Sequence, residues 1–71
     1  MKLPRDVNGS EAVRALKRFE FLVLRQTGSH VILRKGDRTV VVPQHKPLKP
    51  GTLKGLTEQA GLTLDEFIAE L

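Results

Sequence analysis

Gly28-Ser29-His30-Val31-Ile32-Leu33-Arg34-Lys35-Gly36-Asp37-Arg38-Thr39-Val40-Val41-Val42-Pro43 is the stretch on which the fold turns. Gly36-Asp37 is a two-residue pair of the kind that hairpins with primed turns require, where glycine meets the positive φ of the first central position. The runs on either side suit strands: His30 to Lys35 before the turn, and the β-branched run Arg38 to Val42 after it. Side chains alternate along a strand, so Val31 and Leu33 share one face while His30, Ile32 and Arg34 share the other. Pro43 has no N–H to give to a ladder and ends the sheet.

Working outward, Thr27-Gly28-Ser29 is a second turn signal. Phe21 to Arg25 is short and apolar, and joins the hairpin through that turn as a first strand. The expected sheet is therefore a three-stranded antiparallel meander. Ahead of it, Ala12, Val13, Ala15, Leu16 and Phe19 recur at helical spacing, with Arg14, Lys17 and Arg18 opposite. Asn8 and Glu11 are spaced as a capping box, so a helix is predicted from Gly9 to Phe19, after an extended lead-in over Met1 to Val7. Behind the sheet, Pro43 to Pro50 holds three prolines, two lysines and His45, and reads as a stiff loop. Gly51 or Thr52 then opens a helix with Leu53, Leu56 and Ala60 as its apolar stripe and Gly61 as its C-terminal cap. Thr63 and Glu66 form another capping box, and Leu62 with Phe67 a hydrophobic staple, at the start of a short last helix.

The fold class that results is α+β: helix, three-stranded antiparallel β-meander, helix and short C-terminal helix, in one domain spanning residues 1–71. A meander of this kind buries one face under its helices and leaves the other to solvent. At 71 residues the core is small and stability marginal. There is too little protein to wall a deep cavity, which favours a polymeric substrate over a small metabolite. With no cysteine, a disulfide and a cysteine zinc site are both excluded. No apolar run reaches membrane-spanning length and no signal-peptide core is visible, so the chain reads as a cytoplasmic protein without a membrane association.

The net charge of +4 is unevenly placed. From Arg25 to Lys54, seven bases stand against Asp37 alone, whereas the flanks hold five bases and seven acids. A basic middle suits a polyanion-binding face and equally a solvated face that keeps the protein soluble.

Two histidines, His30 and His45, are the candidate chemical groups. Histidine titrates near neutrality and is the most frequent general acid or base. RNA carries its own nucleophile in the 2′-hydroxyl, so cleaving it needs a base near that oxygen and cations near the phosphate, and neither a metal nor a covalent enzyme intermediate. His30, just after a Gly-Ser turn at the first position of a strand, is rigidly mounted with one open side. The same position also suits an ordinary histidine on a half-exposed strand. His45, beside Lys46, is open to three readings: a phosphate contact, an acid, or a solvated loop residue. Two histidines at this separation with no carboxylate at a recognisable spacing make a poor metal site; no metal and no cofactor are expected. Ser29 lies in no nucleophile elbow, and Gly28 and Gly36 read as turn residues, not a phosphate cradle. Phe19, Phe21 and Phe67 all sit at apolar positions, which argues against a base-stacking platform. Any RNA contact should then run to phosphate and ribose, with Arg34, Lys46, Lys49 and His45 as candidates.

Several of these pieces together resemble one family. Gly28-Ser29-His30 resembles the Gly-Ser-His signature of HicA toxins. Val40-Val41-Val42-Pro43-Gln44-His45 resembles their Val-Pro-x-His strand end. Gly51-Thr52-Leu53 and Gln59-Ala60-Gly61-Leu62-Thr63 resemble their Gly-Thr-Leu and Gln-Ala-Gly-Leu-Ser/Thr helix, and Asp65-Glu66-Phe67 their closing Glu-Glu-Phe. The pieces occur in the family's order and cover nearly the whole chain. The resemblance implies a fold similar to double-stranded-RNA-binding domains and a toxin of a HicA–HicB toxin–antitoxin system. It also implies endoribonuclease cleavage of mRNA that arrests translation, His30 as the catalytic residue, and a HicB-type antitoxin partner. A non-catalytic RNA-binding module of the same fold is the alternative. Two positions depart from the pattern. Glu20-Phe21 stands where the family commonly has Gly-Phe, and Val31 follows His30 where a second histidine sometimes does. If position 20 needs a left-handed backbone, a non-glycine residue there costs roughly 1 kcal/mol.

Overall fold

The computed structural model describes residues 7–44 and 48–71. The elements run α1 (Gly9–Arg18), β1 (Leu22–Thr27), β2 (His30–Lys35), β3 (Arg38–Pro43), α2 (Pro50–Ala60) and α3 (Leu64–Ala69). The strands form one antiparallel sheet in the order β1-β2-β3, so the α+β meander expected from the turn signals is the observed fold. The extended lead-in over residues 1–6 lies outside the described residues.

The core is the space between the helices and one face of the sheet. Val31, Leu33, Val40 and Val42 enter it from the strands, Ala12, Ala15 and Leu16 from α1, Leu53, Leu56 and Ala60 from α2, and Phe67 from α3. Val31, Leu33 and the helical residues lie at the positions that periodicity assigned to the inside; Val40 and Val42 join them from the third strand. Phe21 and Phe67 are fully inside, and Phe19 packs against the cluster, as expected of apolar anchors.

Besides α1, which ends at Arg18 with Phe19 as its C-cap, three elements differ in their bounds from expectation, each for a local reason. The first strand runs Leu22–Thr27 and not Phe21–Arg25. Phe21 is consumed by the end of α1: its N–H donates to the Leu16 carbonyl (3.2 Å) while the Glu20 N–H donates to Lys17 (3.0 Å). This paired closure drops Phe21 into the core before the strand begins. Second, α2 opens at Pro50, with Lys49 as its cap, and not at Gly51 or Thr52. Proline is favoured at a first helical position, where its missing N–H costs nothing. Third, β3 extends to Pro43, opposite His30, an edge-strand position where no donor is needed.

The α1 closure needs Glu20 at φ +72°, the one non-glycine residue with positive φ among those described. α2 ends in the same way, with Leu62 N–H to Thr57 and Gly61 N–H to Glu58, but there Gly61 takes the left-handed position at φ +73°. The strain anticipated at position 20 is therefore present. Glu20→Gly is expected to stabilise the fold by about 0.5–1 kcal/mol once glycine's greater freedom in the unfolded chain is deducted. Thermal denaturation should show a midpoint a few degrees higher; an unchanged or lower midpoint would refute the strain.

α3 is short, and Phe67 is its one buried residue. The Glu66 N–H donates to the Thr63 hydroxyl (3.1 Å) and the Thr63 N–H to the Glu66 carboxylate (2.9 Å), completing the expected capping box. That backbone donor first, and the Thr63 side chain second, hold the Glu66 carboxyl below its ordinary value of 4.5. Folding therefore favours the ionised form, and this contribution is complete above the ordinary glutamate range and lost as pH falls through the depressed value. Glu66→Gln keeps an acceptor for the box but cannot titrate. Its melting temperature should fall less steeply than that of the wild type below about pH 4. Parallel acid profiles for the two chains would sink the linkage.

Candidate nucleic-acid interface

The sheet face away from the helices is laid out by the strand pairing. Thr27, His30 and Pro43 form a row across the three strands; Arg25, Ile32 and Val41 form the next; Leu22, Arg34 and Thr39 form a third. Val31 and Leu33 take the buried face between these rows, which leaves His30 and Arg34 exposed on the open one, as alternation requires. No row contains a carboxylate, so the nearby positive charge is not neutralised on this face.

His30 is held at one end of the sheet. The Gln44 N–H donates to the Ser29 carbonyl at 2.6 Å, tying the β1–β2 turn to the chain leaving β3. The Ser29 hydroxyl lies 3.4 Å from His30 Nδ1. α1 presses on the same corner: a Cβ on Gly9 would stand 2.5 Å from the Pro43 carbonyl oxygen and 2.8 Å from Gln44 Cα. The Gly-Ser-His turn and the Val-Pro strand end, distant in sequence, thus meet around His30. Gly28 and Gly36 take positive φ in their turns, as turn residues do.

Of the described candidates, Arg34 is not gathered at this corner. Arg34 shares the open face but stands four residues further along β2, roughly 13 Å away at strand rise. Its Nε donates to the Gly36 carbonyl at 2.7 Å, which directs it to the opposite end of the sheet. Lys49 is exposed at the start of α2. His45 and Lys46 lie outside the described residues. Among the described residues the bases of the middle of the sequence do not form one patch. Lys35 extends over the Phe21 ring, 6.0 Å from its centroid, and Arg38 reaches Gly61, so both are turned to the helical side.

Arg25 is the cation that the sequence reading did not single out. It is exposed, opposite Ile32 and diagonal to His30, a separation of about 7–8 Å that a long side chain spans. The signal was available: a two-residue Gly28-Ser29 turn pairs Thr27 with His30, and counting back two residues puts Arg25 on the His30 face. Among the described residues no three of His, Cys, Asp and Glu are grouped to hold a metal.

An antiparallel sheet backed by helices on one side, with a histidine and arginines exposed on its bare side, is the architecture of this small domain. The chain belongs to the HicA toxin family: the family model described as "HicA toxin of bacterial toxin-antitoxin" matches residues 9–62 of its 71. It is thus the toxin half of a toxin–antitoxin pair, with an antitoxin as its partner. No curated protein matches the chain. No described helix is long and apolar enough to cross a membrane.

Proposed function

We propose that this toxin is a metal-independent endoribonuclease that cleaves mRNA, with His30 as its single catalytic histidine. The observation that carries the reading is the setting of His30: exposed on a bare, carboxylate-free sheet face, at a corner tied by the Gln44–Ser29 hydrogen bond. A rigid mount matters because proton transfer is effective only from a base held within hydrogen-bond reach.

In this reaction the His30 imidazole takes the proton of a ribose 2′-hydroxyl. The 2′-oxygen attacks the adjacent phosphorus, and the P–O5′ bond breaks as the leaving oxygen gains a proton. The products are a 2′,3′-cyclic phosphate and a 5′-hydroxyl, and no electrons change hands. Arg25, diagonal to His30, is placed to meet the phosphate. Lys46, Lys49 and His45 remain candidate RNA contacts, and Arg34 a candidate for a contact away from the cleaved phosphate. A single proton-transferring group with weak charge support makes a slow nuclease, which suffices to deplete messages. A HicB-type antitoxin would silence it by covering the open face.

The test is incubation of the purified chain with a long unstructured RNA in EDTA, beside His30→Ala, with end-group analysis of the products. Cleavage by the wild type alone, leaving cyclic phosphate and 5′-hydroxyl ends, is expected. Binding without cleavage by both chains would instead identify a non-catalytic RNA-binding module.

A further inference from the structure

The two edges of the sheet are treated differently. The outer edge of β3 is occupied: α2 packs along it, and the Val41 N–H donates to Gln59 Oε1 at 3.4 Å. The outer edge of β1 meets no other strand among the described residues. Along its six residues not one side chain is buried, and Leu22, Val23 and Leu24 are 71%, 41% and 57% exposed. Proteins usually blunt such an edge with lysine, proline or a very short strand. Here the one irregularity is a bulge at Leu24, after which pairing resumes from Arg25 to Thr27.

The charge around this edge has one sign on the sheet. β1 carries Arg25; Arg34 is opposite Leu22, and Lys35 follows on β2. The strands hold no acidic residue, and Glu20 precedes β1 in the turn. A second copy of this chain added edge to edge would bring these cations against their own images, and like charges across strands are destabilising. A segment that is apolar on alternate residues and acidic between them meets both features at once.

We propose that the outer edge of β1 receives an extended segment of a partner protein as a fourth strand. That segment is apolar at alternate positions and acidic at the others. Main-chain hydrogen bonds supply the affinity, Leu22, Val23 and Leu24 the apolar contact, and Arg25 and Arg34 on the open face the selectivity. The added strand lies next but one to β2, so its side chains flank the His30 row. The inference rests on the sheet edge and charge alone and stands whether or not the chain cleaves RNA.

The test uses the isotope-labelled full chain and a peptide of about eight residues alternating valine and glutamate. Two controls accompany it: the same peptide with lysine for glutamate, and one N-methylated on alternate amides. The glutamate peptide is expected to shift the amide signals of Leu22 to Thr27 and to slow their hydrogen exchange. Both controls should bind at least about tenfold more weakly, as loss of several cross-strand pairs implies. Leu24→Glu, at an exposed position that leaves the fold intact by circular dichroism, should reverse the preference toward the lysine peptide. Equal affinity for the two charged peptides, shifts confined to the helical side, no binding at millimolar peptide, or a β1-mediated dimer of the chain alone would each overturn the proposal.

Discussion

His30→Ala is expected to lower the rate of RNA cleavage by roughly a hundred- to ten-thousand-fold, the usual worth of one positioned proton-transferring group. The loss should fall on turnover and not on affinity. His30 is one exposed residue of a face whose charge comes from Arg25 and Arg34, so the RNA contacts survive its removal. Folding should survive too. The imidazole is solvent-facing, and among the described residues its one polar contact is the adjacent Ser29 hydroxyl at 3.4 Å, near the outer limit of a hydrogen bond. The thermal midpoint of the variant should therefore lie close to that of the wild type. Single-turnover cleavage and an RNA binding isotherm at fixed salt, on the same preparations, separate the two quantities. A loss of binding parallel to the loss of rate would show that His30 holds RNA and does not transfer a proton.

Gly9→Ala is expected to destabilise the fold by about 1–3 kcal/mol, the range for forcing an extra methyl into a closed space. The atoms in the way are mainly backbone: the Pro43 oxygen at 2.5 Å and Gln44 Cα at 2.8 Å from the new Cβ, with Gln44 Nε2 at 2.9 Å. Backbone cannot rotate aside, so α1 must withdraw from the end of β3. Alanine's advantage over glycine, at most about 1 kcal/mol inside a helix and less at a first position, does not offset this. Against a total stability of roughly 4–10 kcal/mol for this length the loss is large, and the midpoint should drop by about 4 °C or more. Gly55→Ala is the internal control. It makes the same chemical change inside α2, where a Cβ meets nothing within 4 Å, and should raise the midpoint. Because Gln44 is also tied to Ser29, withdrawal of α1 disturbs the mount of His30, and the Gly9 variant should cleave more slowly even where it is fully folded. A Gly9 variant as stable as its Gly55 counterpart would show that the corner is loose.

The difference between those two glycines marks where sequence reasoning stops. Both stand in helices, and what separates them is a chain segment far along the sequence that only folding brings to Gly9. The hairpins, by contrast, were legible because Gly28-Ser29 and Gly36-Asp37 are local signals with a fixed register, and that register carries the row of Thr27, His30 and Pro43 with it. The bulge at Leu24 has no such signal: Leu22, Val23 and Leu24 read as one apolar strand, and nothing local says that this strand lies on an uncovered edge. At the site, alternation gave His30 its face, whereas the exposure of its imidazole, which could equally have packed against Ile32, is seen only in the fold. Arg34 was placed correctly on the same face, but its bond to the Gly36 carbonyl depends on a side-chain conformation that spacing does not determine. Arg25 is hidden by spacing alone because the apolar run reads as a strand that ends there, whereas the strand continues to Thr27.

Glu20 has a consequence for how long the free toxin lasts in a cell. A residue held in the left-handed region at a cost approaching 1 kcal/mol makes the unfolded state up to about fivefold more populated than a glycine there would. Proteases act on that open population, so the end of α1 sets a rate of turnover. Any partner that binds only the folded chain suppresses opening by mass action. The strain therefore widens the gap in lifetime between the protected, partner-bound toxin and the toxin set free, and limits how long an unpartnered copy persists.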